Sequence, residues 1–216
     1  MTLNRIGILC VLLFSAALVA CGGKRVTVEI PPHINLATLG TIGVVAFEVQ
    51  SDEPLPGDIT LTFIQHLQSA QPGVPILELG GQANVLREVG FGVLDTDAVK
   101  AIGKKYGVDS LLTGTLEVTQ SPPDIKVGQD LTSMSAASYV RGNLNVRLRQ
   151  TRTGATVWSN GAHGKWKLAG LNLASGHLSS IGMSNVEDTY KKMLQELARV
   201  GTADFRKTSE TRKITE

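Results

Sequence analysis

Hydrophobic and polar positions follow two periods along the chain, one typical of strands and one typical of helices. Residues 41–49 form a nearly continuous β-branched and apolar run, which predicts a central strand buried on both faces. Residues 74–79 and 108–119 predict two further strands of the core. Residues 143–151 alternate Leu and Val with Asn and Arg, as in an antiparallel strand with one wet face, and residues 155–159 predict its return strand.

Helical periods separate and follow these strands. The predicted helices are residues 59–68, 82–88, 97–106 and 185–200. Asp58 stands where a side chain would cap the first of them, and Asp95 or Thr96 would cap the third. Gly107 follows the third helix at the position where a left-handed residue ends a helix. The last helix has an apolar stripe that should pack on the sheet.

The order β-α-β-α-β-β-β-α predicts an α/β layer fold, a mixed sheet of about five strands with helices packed on it. The predicted domain covers residues 34–205. Residues 206–216 contain a single apolar residue, Ile214, and predict a disordered tail. One domain of this size can bury a sufficient apolar core.

The beginning of the chain predicts export and lipid attachment. Residues 6–20 are uncharged and too short to cross a bilayer comfortably, so residues 1–20 indicate a cleaved signal peptide. Leu18 to Cys21 resembles the bacterial lipobox, which implies that Cys21 is acylated and becomes the mature N-terminus. The alternative is an ordinary secretory signal that happens to contain a cysteine. Gly22 favours the outer membrane as the destination, and residues 21–33 would form a tether between the lipid and the domain.

Charge, cysteine content and motifs give no indication of nucleic-acid binding, a metal site or catalysis. Without Arg5 the formal charge falls from +2 to about +1 with mixed signs, which indicates no nucleic-acid partner. Cys10 lies in the signal and Cys21 at the lipid site, so no thiol remains for a disulfide or a metal. The histidines lack metal-binding spacings, and no nucleophile motif or phosphate loop is complete. We therefore expect no cofactor, no metal and no enzymatic activity, although an unrecognised active site stays open.

Several of these segments together resemble a known family. "TIGVVAFEV", "IGKKYGVDSLLTGTLE" and "RQTRTGATVWS" are similar to the corresponding parts of CsgG-like periplasmic lipoproteins. That group includes the curli secretion channel subunit CsgG and, more distantly, the lipoproteins LpoB and PelC. The resemblance covers roughly residues 41–199 and implies an anticodon-binding-domain-like α/β fold at the outer membrane. The matching motifs are structural rather than catalytic.

Two long stretches remain without a predicted element, residues 120–142 and 160–184. In the curli channel family these places hold hairpins that enter the membrane. Their Ser, Gly and Ala content and Pro122-Pro123 favour flexible surface or subunit-contact loops instead. The residues that would contact a membrane or a second subunit in either case are Tyr139, Trp166, Leu168, Leu171 and Leu173.

The sequence therefore predicts a non-enzymatic, lipid-anchored outer-membrane protein with its domain facing the periplasm. It would act as an accessory or assembly component by binding an envelope protein. The alternative is a homo-oligomeric ring, a secretion channel subunit with membrane-inserted β-hairpins.

Overall fold

The computed structural model describes residues 24–127, 133–174, 177–180 and 186–214. The chain divides into two compact units. The larger unit is Pro32–Arg206, and the described part of the smaller one combines residues 24–31 with residues 207–214.

The smaller unit contains a two-stranded antiparallel sheet. β1 (Lys24–Ile30) pairs along its whole length with β9 (Thr208–Ile214). The sequence predicted a disordered tail here, whereas the structure shows a strand from Thr208 to Ile214. The low apolar content that suggested disorder is compatible with a strand because the ladder is held by backbone hydrogen bonds rather than by a buried face.

The larger unit is a mixed α/β fold, as the sequence predicted, around a seven-stranded sheet rather than one of about five strands. Its strands are β2 (Ile42–Ala46), β3 (Glu48–Ser51), β4 (Ile76–Gly81), β5 (Ser110–Val127), β6 (Ser133–Gln150), β7 (Thr156–Ala174) and β8 (His177–Ser180). The strand order is β4-β2-β5-β6-β7-β8, with β3 also pairing with β5. β2, β3, β4 and the beginning of β5 are parallel, and the pairs from β5 to β8 are antiparallel.

Four α-helices occur in the described part of the chain. They are α1 (Ile59–Ala70), α2 (Gln82–Val89), α3 (Thr96–Tyr106) and α4 (Val186–Gly201). The predicted caps are present: Asp58 accepts hydrogen bonds from the amides of Thr60 and Leu61, and Asp95 accepts one from the amide of Ala98. Gly107 ends α3 in the left-handed conformation, at φ 66°.

Two apolar cores lie on opposite faces of the sheet. Alternation along β2 puts Val44 in the larger core, with residues of α1 and α4, and Val45 in the smaller one, with residues of α2 and α3. The prediction of burial on both faces is confirmed for β2, whereas the end of the predicted run, in β3, is mostly exposed. The predicted single strand over residues 41–49 is divided at Phe47, whose amide donates to the Thr60 hydroxyl at 2.9 Å instead of continuing the ladder.

Candidate functional site

Three strands of the main sheet are unusually long. β5 and β6 each have 18 residues and β7 has 19, against about five or six in an average strand. At about 3.3 Å per residue each extends for roughly 60 Å, whereas the 16 residues of α4 extend for only about 24 Å at 1.5 Å per residue. Even if α4 lay along the strands, it could cover less than half of their length.

The inner part of these strands is covered by α4. Gly142 of β6 faces the helix so closely that a Cβ there would lie 2.8 Å from Leu197 Cδ1 and 3.1 Å from Met193 Sδ. Gln120 Nε2 of β5 donates to the Tyr190 hydroxyl of α4 at 2.9 Å. Gln120 pairs with Val140, which pairs with Trp166, so these three residues form one row across β5, β6 and β7.

Beyond that row lies a part of the sheet that we call the outer sheet. It consists of residues 121–127 of β5, 133–139 of β6, 167–174 of β7 and the short strand β8. Pro122 and Pro123 do not end β5 but form an irregularity, since the register shifts between Ser121 and Asp124. This is where prolines are tolerated in a ladder, because they have no N–H to donate.

The outer sheet alternates between apolar and polar rows. Ile125 pairs with Ala136, and Val127 pairs with Met134. The row between these two contains Lys126 and Ser135. Because paired residues share a face and successive residues alternate, Ile125, Val127 and Met134 lie on one face of the sheet. Their exposed fractions are 61%, 56% and 44%, which are high for residues of this type.

The opposite face of the outer sheet is polar. Lys126 and Asp124 form an exposed ion pair, with Nζ 3.8 Å from Oδ2. Tyr139 is half-buried, and the Nζ of Lys165 lies 3.9 Å from the centre of its ring. Tyr139 is therefore held in a cation–π contact rather than on the apolar face.

Trp166 is half-buried against the larger core and borders a groove of about 670 Å³ along α4. Charged side chains of α4 line this groove. Arg199 donates to the Glu196 carboxylate, and this hydrogen bond lowers the pKa of Glu196. The hydrogen bond between Lys191 and Glu187 raises the pKa of Lys191.

The other residues that were predicted to contact a membrane or a second subunit lie in different parts of the structure. Leu168 is only 5% exposed and belongs to the larger core, at a β-bulge between Lys167 and Ala169. It is not available to a membrane or a second subunit. The register places Leu171 opposite Ala136 and Leu173 opposite Met134, in the apolar rows of the outer sheet. Cys21 and the signal peptide lie outside the described residues.

The prediction of flexible loops over residues 120–142 and 160–184 is wrong for the parts that the structure describes. Residues 120–127, 133–142 and 160–174 are paired strands, with register shifts at Pro122-Pro123 and at Leu168. Their small residues suggested loops, but at Gly142 the missing side chain is what lets α4 pack on the sheet. Residues 128–132, 175–176 and 181–184 of the two stretches lie outside the described part.

Ile125, Val127 and Met134 were not among the predicted contact residues. The signal that could have identified them is the alternation of Ile125 and Val127 with Asp124 and Lys126, directly after the two prolines. The described residues contain no group of His, Cys, Asp and Glu side chains that could hold a metal ion. Within the same residues, no helix has the length and apolar character needed to cross a membrane.

Comparisons with known proteins find likeness in structure rather than in sequence. No family model matches the chain, and no curated protein matches its sequence. A neuraminyllactose-binding hemagglutinin homologue from Helicobacter pylori has a TM-score of 0.44 and 10% identity, over 74% of this chain and 80% of that one.

Two further solved structures belong to lipoproteins that the sequence resemblance named. The PelC dodecamer from Paraburkholderia phytofirmans has a TM-score of 0.42 and 12% identity, over 84% of this chain and 97% of that one. The LpoB C-terminal domain from Salmonella enterica has a TM-score of 0.37 and 13% identity, over 69% and 90%. These likenesses concern the fold, and the resemblance to the curli channel subunit stays a prediction.

The position of Leu168 leads to a stability prediction. Leu168→Arg should cost at least the roughly 2–5 kcal/mol of a truncated core leucine, because it also brings a charge into the apolar core. Lys167→Arg changes the exposed neighbour and should stay within about 0.5 kcal/mol of the original protein. Urea unfolding followed by circular dichroism measures both. An unchanged midpoint for Leu168→Arg would show that this residue is not packed in the core.

Proposed function

We propose that this chain is a non-enzymatic outer-membrane lipoprotein of the bacterial envelope that acts as an accessory or assembly component. It is held to the membrane by the lipid on Cys21, and its domain faces the periplasm. It binds an envelope protein through the apolar face of the outer sheet.

The observation that supports this proposal is the exposure of Ile125, Val127 and Met134 on one face of a paired sheet. Single exposed apolar residues are common, but several on one continuous face are typical of an interaction site. Lys126 and Asp124 on the other face leave only one side of the outer sheet suitable for an apolar partner.

The dimensions of the outer sheet favour a protein partner over insertion into a bilayer. A membrane strand needs about nine to eleven residues, whereas within the described residues the outer parts of β5, β6 and β7 are the shorter ranges 121–127, 133–139 and 167–174. The irregularity at Pro122 and Pro123 separates the outer part of β5 from the regular ladder.

The second candidate is a ring-forming secretion channel subunit whose hairpins enter the membrane. The observation that favours it is the length of β5, β6 and β7 together with the apolar row at Val127 and Met134. In that case the apolar face would contact lipid and neighbouring copies of this chain instead of a different protein.

Photo-crosslinking in cells distinguishes these partners. A photoreactive amino acid at Val127 should give a discrete adduct with another envelope protein, whereas the same group at Lys126, on the opposite face, should not. Both positions are exposed, so neither change should unfold the domain. Adducts of Val127 with lipid or with a second copy of the chain would favour the channel subunit, and equal adducts from both positions would contradict a specific apolar contact.

Cys21→Ser tests the lipid anchor separately. The substitution removes the thiol that would be acylated, so the protein should be found unprocessed or in the soluble fraction. Cell fractionation and the mass of the mature protein measure this outcome, with Cys10→Ser as a control that keeps the predicted lipid site. A processed Cys21→Ser protein in the outer membrane would contradict the lipoprotein assignment.

A further inference from the structure

A small cavity opens on the face of β5 and β6 that α4 does not cover. Its volume is about 260 Å³, and its walls include Gln82, Thr113, Thr115, Asn145, Arg147 and Arg149. The β5 and β6 members of this set alternate with core residues such as Leu112 and Leu148, which places them on the opposite face of the sheet. Neither the proposed partner contact nor the lipid anchor uses this cavity.

The two arginines of the cavity have unused hydrogen-bonding capacity. Arg147 is exposed, and no hydrogen bond or ion pair joins its guanidinium to the described part of the chain. Arg149 Nη1 donates to the Leu94 carbonyl at 3.1 Å, which holds the side chain in place. Its Nε is buried and has no hydrogen-bond partner among the described residues. A buried donor without an acceptor is costly and therefore unusual in a protein.

The surroundings of these arginines favour negative charge. Two arginines and no carboxylate line the cavity, and Glu48, just outside the lining, accepts a hydrogen bond from Gln82 at 2.6 Å. Gln82 is also the first residue of α2, and no side chain caps that helix. The positive end of the α2 dipole therefore adds to the charge of the arginines.

We infer that this cavity binds an oxyanion, either a carboxylate or a phosphate group, between Arg147 and Arg149. Guanidinium groups match the planar, two-oxygen edge of both anions, and the amide of Asn145 and the hydroxyls of Thr113 and Thr115 supply neutral hydrogen bonds. The volume is below the roughly 300–1,000 Å³ of a typical ligand pocket, so it fits a small anion or the charged end of a larger molecule.

The test measures binding to the full chain in detergent by two-dimensional NMR, following the backbone amides of Gly114 and Asn145. Three probes distinguish the sources of the anion: inorganic phosphate, N-acetyl-alanyl-alanine and the C-terminal amide of that dipeptide. We expect phosphate or the dipeptide acid to bind, and the dipeptide amide, which lacks the charge, not to bind. Binding should weaken as salt rises, because exposed charges are screened.

Arg147→Gln should weaken that binding by about tenfold or more, since it removes a charged donor. The matched control is Arg152→Gln, which makes the same charge change at the exposed hairpin turn outside the cavity. Arg147 is exposed, so its variant should stay folded and the measurement stays decisive. Equal weakening by the two variants, or no binding of phosphate or the dipeptide acid at millimolar concentration, would overturn the proposal.

Discussion

The architecture of the larger unit depends on the packing of α4 against the inner part of β6 and β7. Burial of apolar area drives this packing, and it is effective only because the surfaces come close together. Gly142 makes the close approach to Met193 and Leu197 possible, and a side chain at that position would push the helix away. Leu144 and Leu194 then lie in the same core as Phe63 of α1.

The limited reach of α4 explains where the protein can make contacts. The helix stabilises the inner sheet up to the row of Gln120, Val140 and Trp166. Past that row the strands stay paired on the far side of the irregularity at Pro122-Pro123 but have no covering helix, so their apolar rows are exposed at Ile125 and Val127. The proposed contact surface is thus a direct result of strands that are longer than their helix. The arginine cavity lies on the other face, where β5 and β6 are not covered by α4.

The sequence predicted the helices and central strand of the inner fold well, because helix caps, helix-ending glycines and apolar runs act on residues close in sequence. Asp58 and Asp95 cap helices, Gly107 ends one, and the apolar run through Val44 and Val45 is buried on both faces. The outer sheet was missed because Pro122-Pro123 and the many small residues are typical of loops, and composition does not reveal which segments pair as strands. Leu168 was expected to be exposed because the small residues around it are typical of a loop, whereas the structure buries it in the larger core. The arginine cavity joins Gln82 to Arg147 and Arg149 across the fold, and no sequence spacing indicates that.

Amide hydrogen exchange of the full chain in detergent tests most directly whether the outer sheet is a paired extension of the inner one. We expect the amides of residues 133–139 and 167–174 to exchange far more slowly than those of an unstructured peptide. They should exchange faster than the amides of residues 140–148, because α4 covers only the inner rows. Exchange of the outer amides at the unstructured rate, with the inner ones protected, would contradict the account.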